Sequence, residues 1–231
     1  CNGSDGYLAF TDDLLQIRKT ANPDIEGLGY EIRVFDNPTE LKKQIILRNN
    51  NNKARMVAGY CWDWKSKKTL GAFDIEFPEF GFKAQWNLGS DGSTWAIATK
   101  SVEQIGCIHT CQGLEFDYVG VIIGPDLIVR DGVVVTEGFK RSKNDQSIKG
   151  FKSQFRENKE LAESRVDAII KNTYRTLMTR GQKGCYIYCT DIETNEYFKS
   201  RINALPQNEL SKYLGLRYPV KKANEVKPFV N

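Results

Sequence analysis

Apolar residues along this chain fall into short continuous runs separated by longer amphipathic stretches. Strands buried on both faces of a sheet, alternating with helices that cover it, leave that pattern. The run YEIRVF (30–35) alternates as a strand, and NPTELKKQIILRNN behind it predicts a helix with Asn37 as N-cap and Pro38 at the first helical position. ARMVAGY (54–60), IGCIH (105–109), VGVIIG (119–124) and GCYIYC (184–189) read as four further buried strands. Apolar residues at 151, 155, 162, 166, 169, 170, 174 and 177 form one helical stripe stopped by Gly181, the longest helix expected. IETNEYFKSRI predicts a closing helix. The expected fold class is α/β, a mostly parallel, doubly wound sheet with helices on both faces.

Three regions stand outside that alternation. LIVRDGVVVTE (127–137) sets Asp131 and Gly132 between β-branched runs, which predicts a β-hairpin. With the polar loop behind it, this forms an insertion over 125–150. All four tryptophans, Trp62, Trp64, Trp86 and Trp95, fall in a second insertion over 62–100, whose elements the pattern leaves unassigned. The opening from Cys1 to Ile25 is polar and turn-rich, and reads as the inside of a longer polypeptide. The expected organisation is one domain over 1–203, followed by a polar, proline-punctuated tail over 204–231.

Composition narrows the function classes. With 40% hydrophobic and 27% charged residues among 231, the chain can bury a core, and no run of eighteen apolar residues or export signal stands out. A cytoplasmic location is therefore expected. The net charge of +4 permits a polyanionic partner but does not argue for one. A single histidine, His109, excludes multi-histidine metal motifs. Cys107, Cys111, Cys185 and Cys189 form two C-x3-C pairs inside apolar runs; buried free thiols fit better than zinc knuckles, and no metal site is expected. No nucleophile elbow surrounds any serine or cysteine, so hydrolase triads are not indicated.

Two stretches carry candidate chemistry: IGCIHTCQGLEFDYVGVIIG (105–124) and NTYRTLMTRGQKGCYIYCTD (172–191). Each places polar residues at the end of a buried strand or helix, where α/β proteins build sites. In the first, Gly113 is expected to allow close backbone approach. In the second, Arg180 stands where a helix meets a loop, either to project from the domain edge or to bond the last carbonyls of its helix. The tryptophans beside WKSKK (64–68), and the run KRSK (140–143), admit both packing or solvation and nucleic-acid contact.

These stretches resemble the fifth and sixth motifs of superfamily-one helicases. His109, Gln112, Gly113, Glu115, Phe116 and Asp117 match the fifth, and Met178, Thr179, Arg180 and Gly181 the sixth. The blocks GYCWDW, WN, HTCQGLEFDYVGVIIGPDL and the run from Asn172 to Tyr188 are similar to those of a bacterial family of DNA/RNA helicase-domain proteins related to the group 3 Schlafens. The resemblance spans roughly residues 1 to 203. It implies the second RecA-like domain of an ATP-dependent helicase or translocase. Arg180 would be the arginine finger, with Glu115 on the nucleotide ribose, Gln112 and Gly113 near the phosphates, and His109 and Thr110 on single-stranded DNA or RNA. For Glu115 a solvated loop carboxylate, and for His109 a satisfied histidine at a strand end, are the plainer alternatives.

The phosphate loop G-x-x-x-x-G-K-[ST] does not occur in this chain. ATP and Mg2+ are therefore expected to bind only together with an N-terminal RecA-like domain of the same polypeptide, preceding Cys1. The alternative is a nucleic-acid-binding or regulatory module that does not hydrolyse ATP.

Overall fold

The computed structural model describes residues 5–19, 29–69, 71–87 and 94–204. Along the chain run α1 (Asp5–Leu14), β1 (Glu31–Val34), α2 (Pro38–Leu47), β2 (Ala54–Ala58), β3 (Ile75–Phe77), β4 (Phe82–Ala84), β5 (Ile105–Gly106) and α3 (Ile108–Cys111). There follow β6 (Phe116–Ile123), β7 (Leu127–Arg130), β8 (Val133–Thr136), α4 (Phe151–Glu157), α5 (Lys159–Met178), β9 (Gly181–Cys189) and α6 (Ile192–Asn203). Five strands lie side by side in the order β1-β9-β6-β2-β5, every neighbouring pair parallel. Parallel neighbours need crossovers, and the helices supply them on both faces. The α/β class expected from the apolar runs is the one observed, and it is compatible with a RecA-like domain.

Alternation along the central strands explains the layering. Val119, Val121 and Ile123 of β6 join Val166, Ile170, Tyr174 and Leu177 of α5 in one core. Ile122, Met56 and Tyr186 join Leu41 and Ile45 of α2 in the other. The residues between them point to opposite faces because the strand period is two. The expected cap of α2 is present: the Asn37 side chain accepts from the Thr39 amide at 2.8 Å, an interaction of about 1 kcal/mol.

Several expectations change. The opening contains a helix, because Tyr7, Phe10 and Leu14 recur at helical spacing and are buried. Its polar look is misleading, since Asp12 is buried on Arg18 and Arg175, and Tyr7 Oη donates to the Met178 carbonyl at 3.0 Å. The strand expected over 105–109 ends at Gly106, so His109 lies on the short helical turn α3. The single long helix expected after 151 is two helices. Asn158 adopts extended φ and ψ of −150° and 96°, and its side chain accepts from the Leu161 amide at 3.0 Å to cap α5. Phe155 and Ala162 are seven residues apart, two helical turns, so the apolar stripe stays in phase across the break and conceals it.

The hairpin forms as expected. Arg130 pairs with Val133 across a two-residue turn in which Asp131 and Gly132 have φ of 49° and 75°, the left-handed pair a type I′ turn requires. Arg130 grips both oxygens of Asp191, each at 2.8 Å, and fastens the hairpin to the start of α6. Hydrogen bonding from Arg130 holds the Asp191 carboxyl well below the usual carboxylate range.

The tryptophan-rich insertion folds around β3 and β4, which pair antiparallel from Ile75 with Ala84 to Phe77 with Phe82. Buried Asp74 accepts from the Ser66 amide at 2.8 Å, the Ser66 hydroxyl at 2.6 Å and the Trp86 amide at 2.8 Å. Trp86 is wholly buried under Tyr60 and Trp62. Trp95 packs edge-on to Phe116 in the opposite core. These two tryptophans are core, whereas Trp64 is only half-covered.

Cys107, Cys111, Cys185 and Cys189 are buried free thiols, and burial pushes Cys185 up to about 12. Cys1 and the tail from Leu205 lie outside the described residues. Among the described residues, no helix is long and apolar enough to cross a membrane.

Candidate functional site

The loop from Cys107 to Glu115 leaves the C-terminal end of β5 and reaches the start of β6. Along it, α3 exposes His109, while the Thr110 hydroxyl donates to Asn87 Oδ1 at 2.7 Å and lies 3.4 Å from Cys107 Sγ. Cys111 to Leu114 then form a type II turn. Gln112 has φ and ψ of −62° and 126°, Gly113 has φ of 75°, and the Leu114 amide donates to the Cys111 carbonyl at 3.1 Å. A β-carbon on Gly113 would meet nothing within 4 Å. Glycine is needed here for the left-handed backbone, and no atom of the described residues crowds its open face.

His109, Thr110 and Gln112 line a cleft of about 950 Å3 off the C-terminal ends of β2 and β5. Its other walls include Trp64, Lys67 and Lys68 from the insertion, and Asn144 and Gln146 from the loop behind the hairpin. Lys67 Nζ stands 5.6 Å from the Trp64 ring centroid. Tyr60 closes the floor; burial, followed by the neighbouring Cys107 and Asp145, raises its hydroxyl above the ordinary phenol value. The Ser142 amide donates to the Tyr60 carbonyl at 2.9 Å and its hydroxyl to Asp63 at 2.6 Å, so the two insertions are tied together beside the cleft.

Arg180 and Glu115 sit elsewhere. Both precede the N-terminal ends of their strands, β9 and β6, rather than following C-terminal ends. The Phe116 amide donates to the Arg180 carbonyl at 2.9 Å, which draws the two residues to one edge. Arg180 is half-buried rather than projecting freely from the domain edge: it takes the other expected arrangement, Nε donating to the Thr176 carbonyl in the last turn of its helix at 3.1 Å, and Nη1 donates to the Leu114 carbonyl at 3.3 Å. Among the described residues it forms no ion pair. Glu115 is exposed and accepts from Gln182 Nε2. The motif residues therefore form two groups, at the cleft and at the strand edge, joined by the loop 107–115 whose Leu114 lines the cleft and holds Arg180.

A buried network beneath the cleft escaped the sequence reading. Arg141 binds Asp126 at 2.9 Å and also Asp145, all three side chains being fully inaccessible. Tyr174 Oη donates to Asp126 and accepts from the Gly124 amide at 2.8 Å. Asp145 lies 3.7 Å from His109 Nε2, so the network ends at the cleft wall. Its members are scattered from 126 to 174, with no short spacing to betray them, and Arg141 looks like part of a solvated basic run. Among the described residues, no three His, Cys, Asp or Glu side chains gather into a metal-holding group.

The uncharacterized protein YPL245W of Saccharomyces cerevisiae is 28% identical over 127 residues, a match covering 50% of this chain and 25% of that protein. The chain thus corresponds to about a quarter of that relative's length. No solved structure matches it. The model of the Schlafen group 3 DNA/RNA helicase domain matches residues 1–191, a stretch that holds the loop 107–115, Arg180 and both insertions, and the chain belongs to that family.

Proposed function

We propose that this chain is the second RecA-like half of an ATP-dependent DNA/RNA helicase or translocase. Arg180 is its arginine finger, Glu115 contacts the nucleotide ribose, and the cleft at His109, Thr110 and Gln112 takes a single strand. A phosphate-holding RecA-like domain, with the residues that bind Mg2+, completes the ATP site, because this chain lacks the phosphate loop.

What carries this reading is the loop 107–115. One end presents His109 and Thr110 to a cleft with Trp64 and two lysines, and the other end offers the Leu114 carbonyl to Arg180. A strand in the cleft and a nucleotide at the edge would therefore press on the same short loop. Among the described residues Arg180 is held only by carbonyl dipoles, so its charge is available to the phosphoryl oxygens of ATP, and a γ-phosphate would compete with the Leu114 carbonyl for the guanidinium. Glu115 is already at that edge and open to a ribose hydroxyl.

The test joins this chain to a phosphate-loop domain of the family and measures ATP turnover with and without single-stranded nucleic acid. Arg180→Ala is expected to lower turnover about 1,000-fold while leaving nucleic-acid binding unchanged. Unaltered turnover would remove Arg180 from the catalytic role, and binding without any turnover would favour the regulatory module.

A further inference from the structure

The segment GFKRSKNDQSIKGFKSQFR (138–156) carries six basic residues and a single carboxylate, in a chain whose whole excess is only four positive charges. The fold gathers this charge around one place. Lys143, Lys149, Lys152 and Arg156 all line a hollow of about 560 Å3 and are exposed. Among the described residues, none of the four is bonded to an acid through its charged group. Among the described residues the one carboxylate at the hollow is Asp145, which is engaged by Arg141 and by the amide and hydroxyl of Ser147 at 2.9 Å and 2.8 Å. Arg141 is shared with Asp126, so the buried trio keeps one formal negative charge beside the hollow; the four cations still outnumber it and repel one another, a cost that a polyanion removes.

The hollow is built rather than loose. Arg141 ties its loop to Asp126 just past the C-terminal end of β6, so the lysines project from a braced backbone. At its rim Phe139 rests on Phe151 and Phe155, with ring centroids 4.9 Å and 5.0 Å away, yet remains 54% exposed. An exposed aromatic ring among unpaired cations is the surface on which a base stacks while the flanking phosphates are neutralised. The hollow also shares Gln146 with the candidate cleft, so the two adjoin.

We infer that the hollow formed by Lys143, Lys149, Lys152 and Arg156 is a second nucleic-acid subsite, which takes the phosphodiester backbone of the strand as it leaves the cleft past Gln146, with a base on Phe139. This rests on the single-strand reading of the cleft. Phosphate is the recognised group, and a continuous strand rather than a free phosphate compound is its source.

The experiment titrates the 231-residue chain with fluorescent single-stranded oligonucleotides of about 4 and about 16 nucleotides over a range of salt. Neutralising Lys143, Lys149 and Lys152 together to Gln is expected to flatten the log-affinity against log-salt slope for the longer strand by about 2, since each phosphate contact on a single strand contributes about 0.7. The short strand should be little affected, and Phe139→Leu should weaken the long strand without changing the slope. Thermal melting of each variant verifies folding; these exposed positions should leave it unchanged. An unchanged slope in the triple variant, with a reduced one in Lys67→Gln/Lys68→Gln, overturns the hollow and leaves the cleft standing. Lys-dependent binding of inorganic phosphate or AMP at the hollow that displaces nothing from the long strand also overturns it, in favour of a free ligand. If no strand binds, the cleft and the hollow fall together.

Discussion

The brace beneath the cleft and the strand edge at β6 and β9 each centre on one arginine, in opposite ways. Arg141 is fully inaccessible and matched to two carboxylates, its buried Nη2 having no partner among the described residues. Among the described residues, the half-buried Arg180 meets only the carbonyls of Thr176 and Leu114. An incoming anion would meet two aspartates at the first and an uncompensated guanidinium at the second. Burial and compensation mark Arg141 as structural. Partial exposure on carbonyl dipoles leaves Arg180 charged and free to change partners. The fraction of an arginine that is exposed thus says less about its role than the kind of oxygen it is bound to.

The largest effect should come from the brace. Arg141→Ala leaves Asp126 and Asp145 buried without their cation, and a loss of about 3–5 kcal/mol is expected in urea unfolding. Because Asp145 lies beside His109, the same variant should loosen the cleft wall even where it remains folded, seen as faster amide exchange over 107–112 than over β6. A loss below about 1 kcal/mol would place Arg141 with the ordinary surface arginines and dissolve the contrast.

Tyr174 sharpens the same contrast through pH. Burial, then the charges of Asp126 and Cys61, raise its hydroxyl well above the ordinary phenol value. The folded chain therefore keeps the proton more firmly than the unfolded chain does. Its contribution is complete below the unfolded pKa of about 10 and is lost as pH rises above it. Tyr174→Phe should cost about 1–3 kcal/mol at neutral pH, since Asp126 and the Gly124 amide lose their partner. Above pH 10 the variant should also lose stability less steeply, by about 1.4 kcal/mol per pH unit. An identical alkaline slope in the two proteins would show that Tyr174 ionises in the folded chain.

Much of the fold was legible because local signals and tertiary demands agree. Asn37 with Pro38, and Asp131 with Gly132, carry their backbone geometry in their own chemistry, so a cap and a turn follow from two residues each. The buried strands β2, β6 and β9 needed only their apolar runs. Where the reading failed, the deciding contact was distant in sequence. Tyr7 is buried through Met178, 171 positions away, and Asp12 through Arg175, 163 away, so α1 looked like polar turn. Asn158 breaks a stripe that remains in phase. At the site, the motif residues were legible but their division was not: the parallel order of β5, β6 and β9 separates the His109 end of one loop from its Glu115 end. Nothing local announced that Lys67, Asn87 and Gln146 share a cleft, or that Lys143 and Arg156 share a hollow.

The smallest expected effect falls on the arginine with the largest proposed role. Arg180→Ala removes two hydrogen bonds to carbonyls, at 3.1 Å and 3.3 Å, from a half-buried side chain. The Thr176 carbonyl belongs to the last turn of α5 and the Leu114 carbonyl to a surface turn, so water can replace the guanidinium at both. No carboxylate is left behind, because none among the described residues pairs with it. Stability in urea should fall by no more than about 1 kcal/mol. Arg180→Lys should do still less, since an ammonium can reach one of the two carbonyls but cannot span both. A loss of 3 kcal/mol or more in Arg180→Ala would make this residue a second brace, and the loop 107–115 would then depend on it for its shape rather than merely touch it. A near-neutral result leaves Arg180 with no structural reason to be an arginine, which is the condition its catalytic role requires.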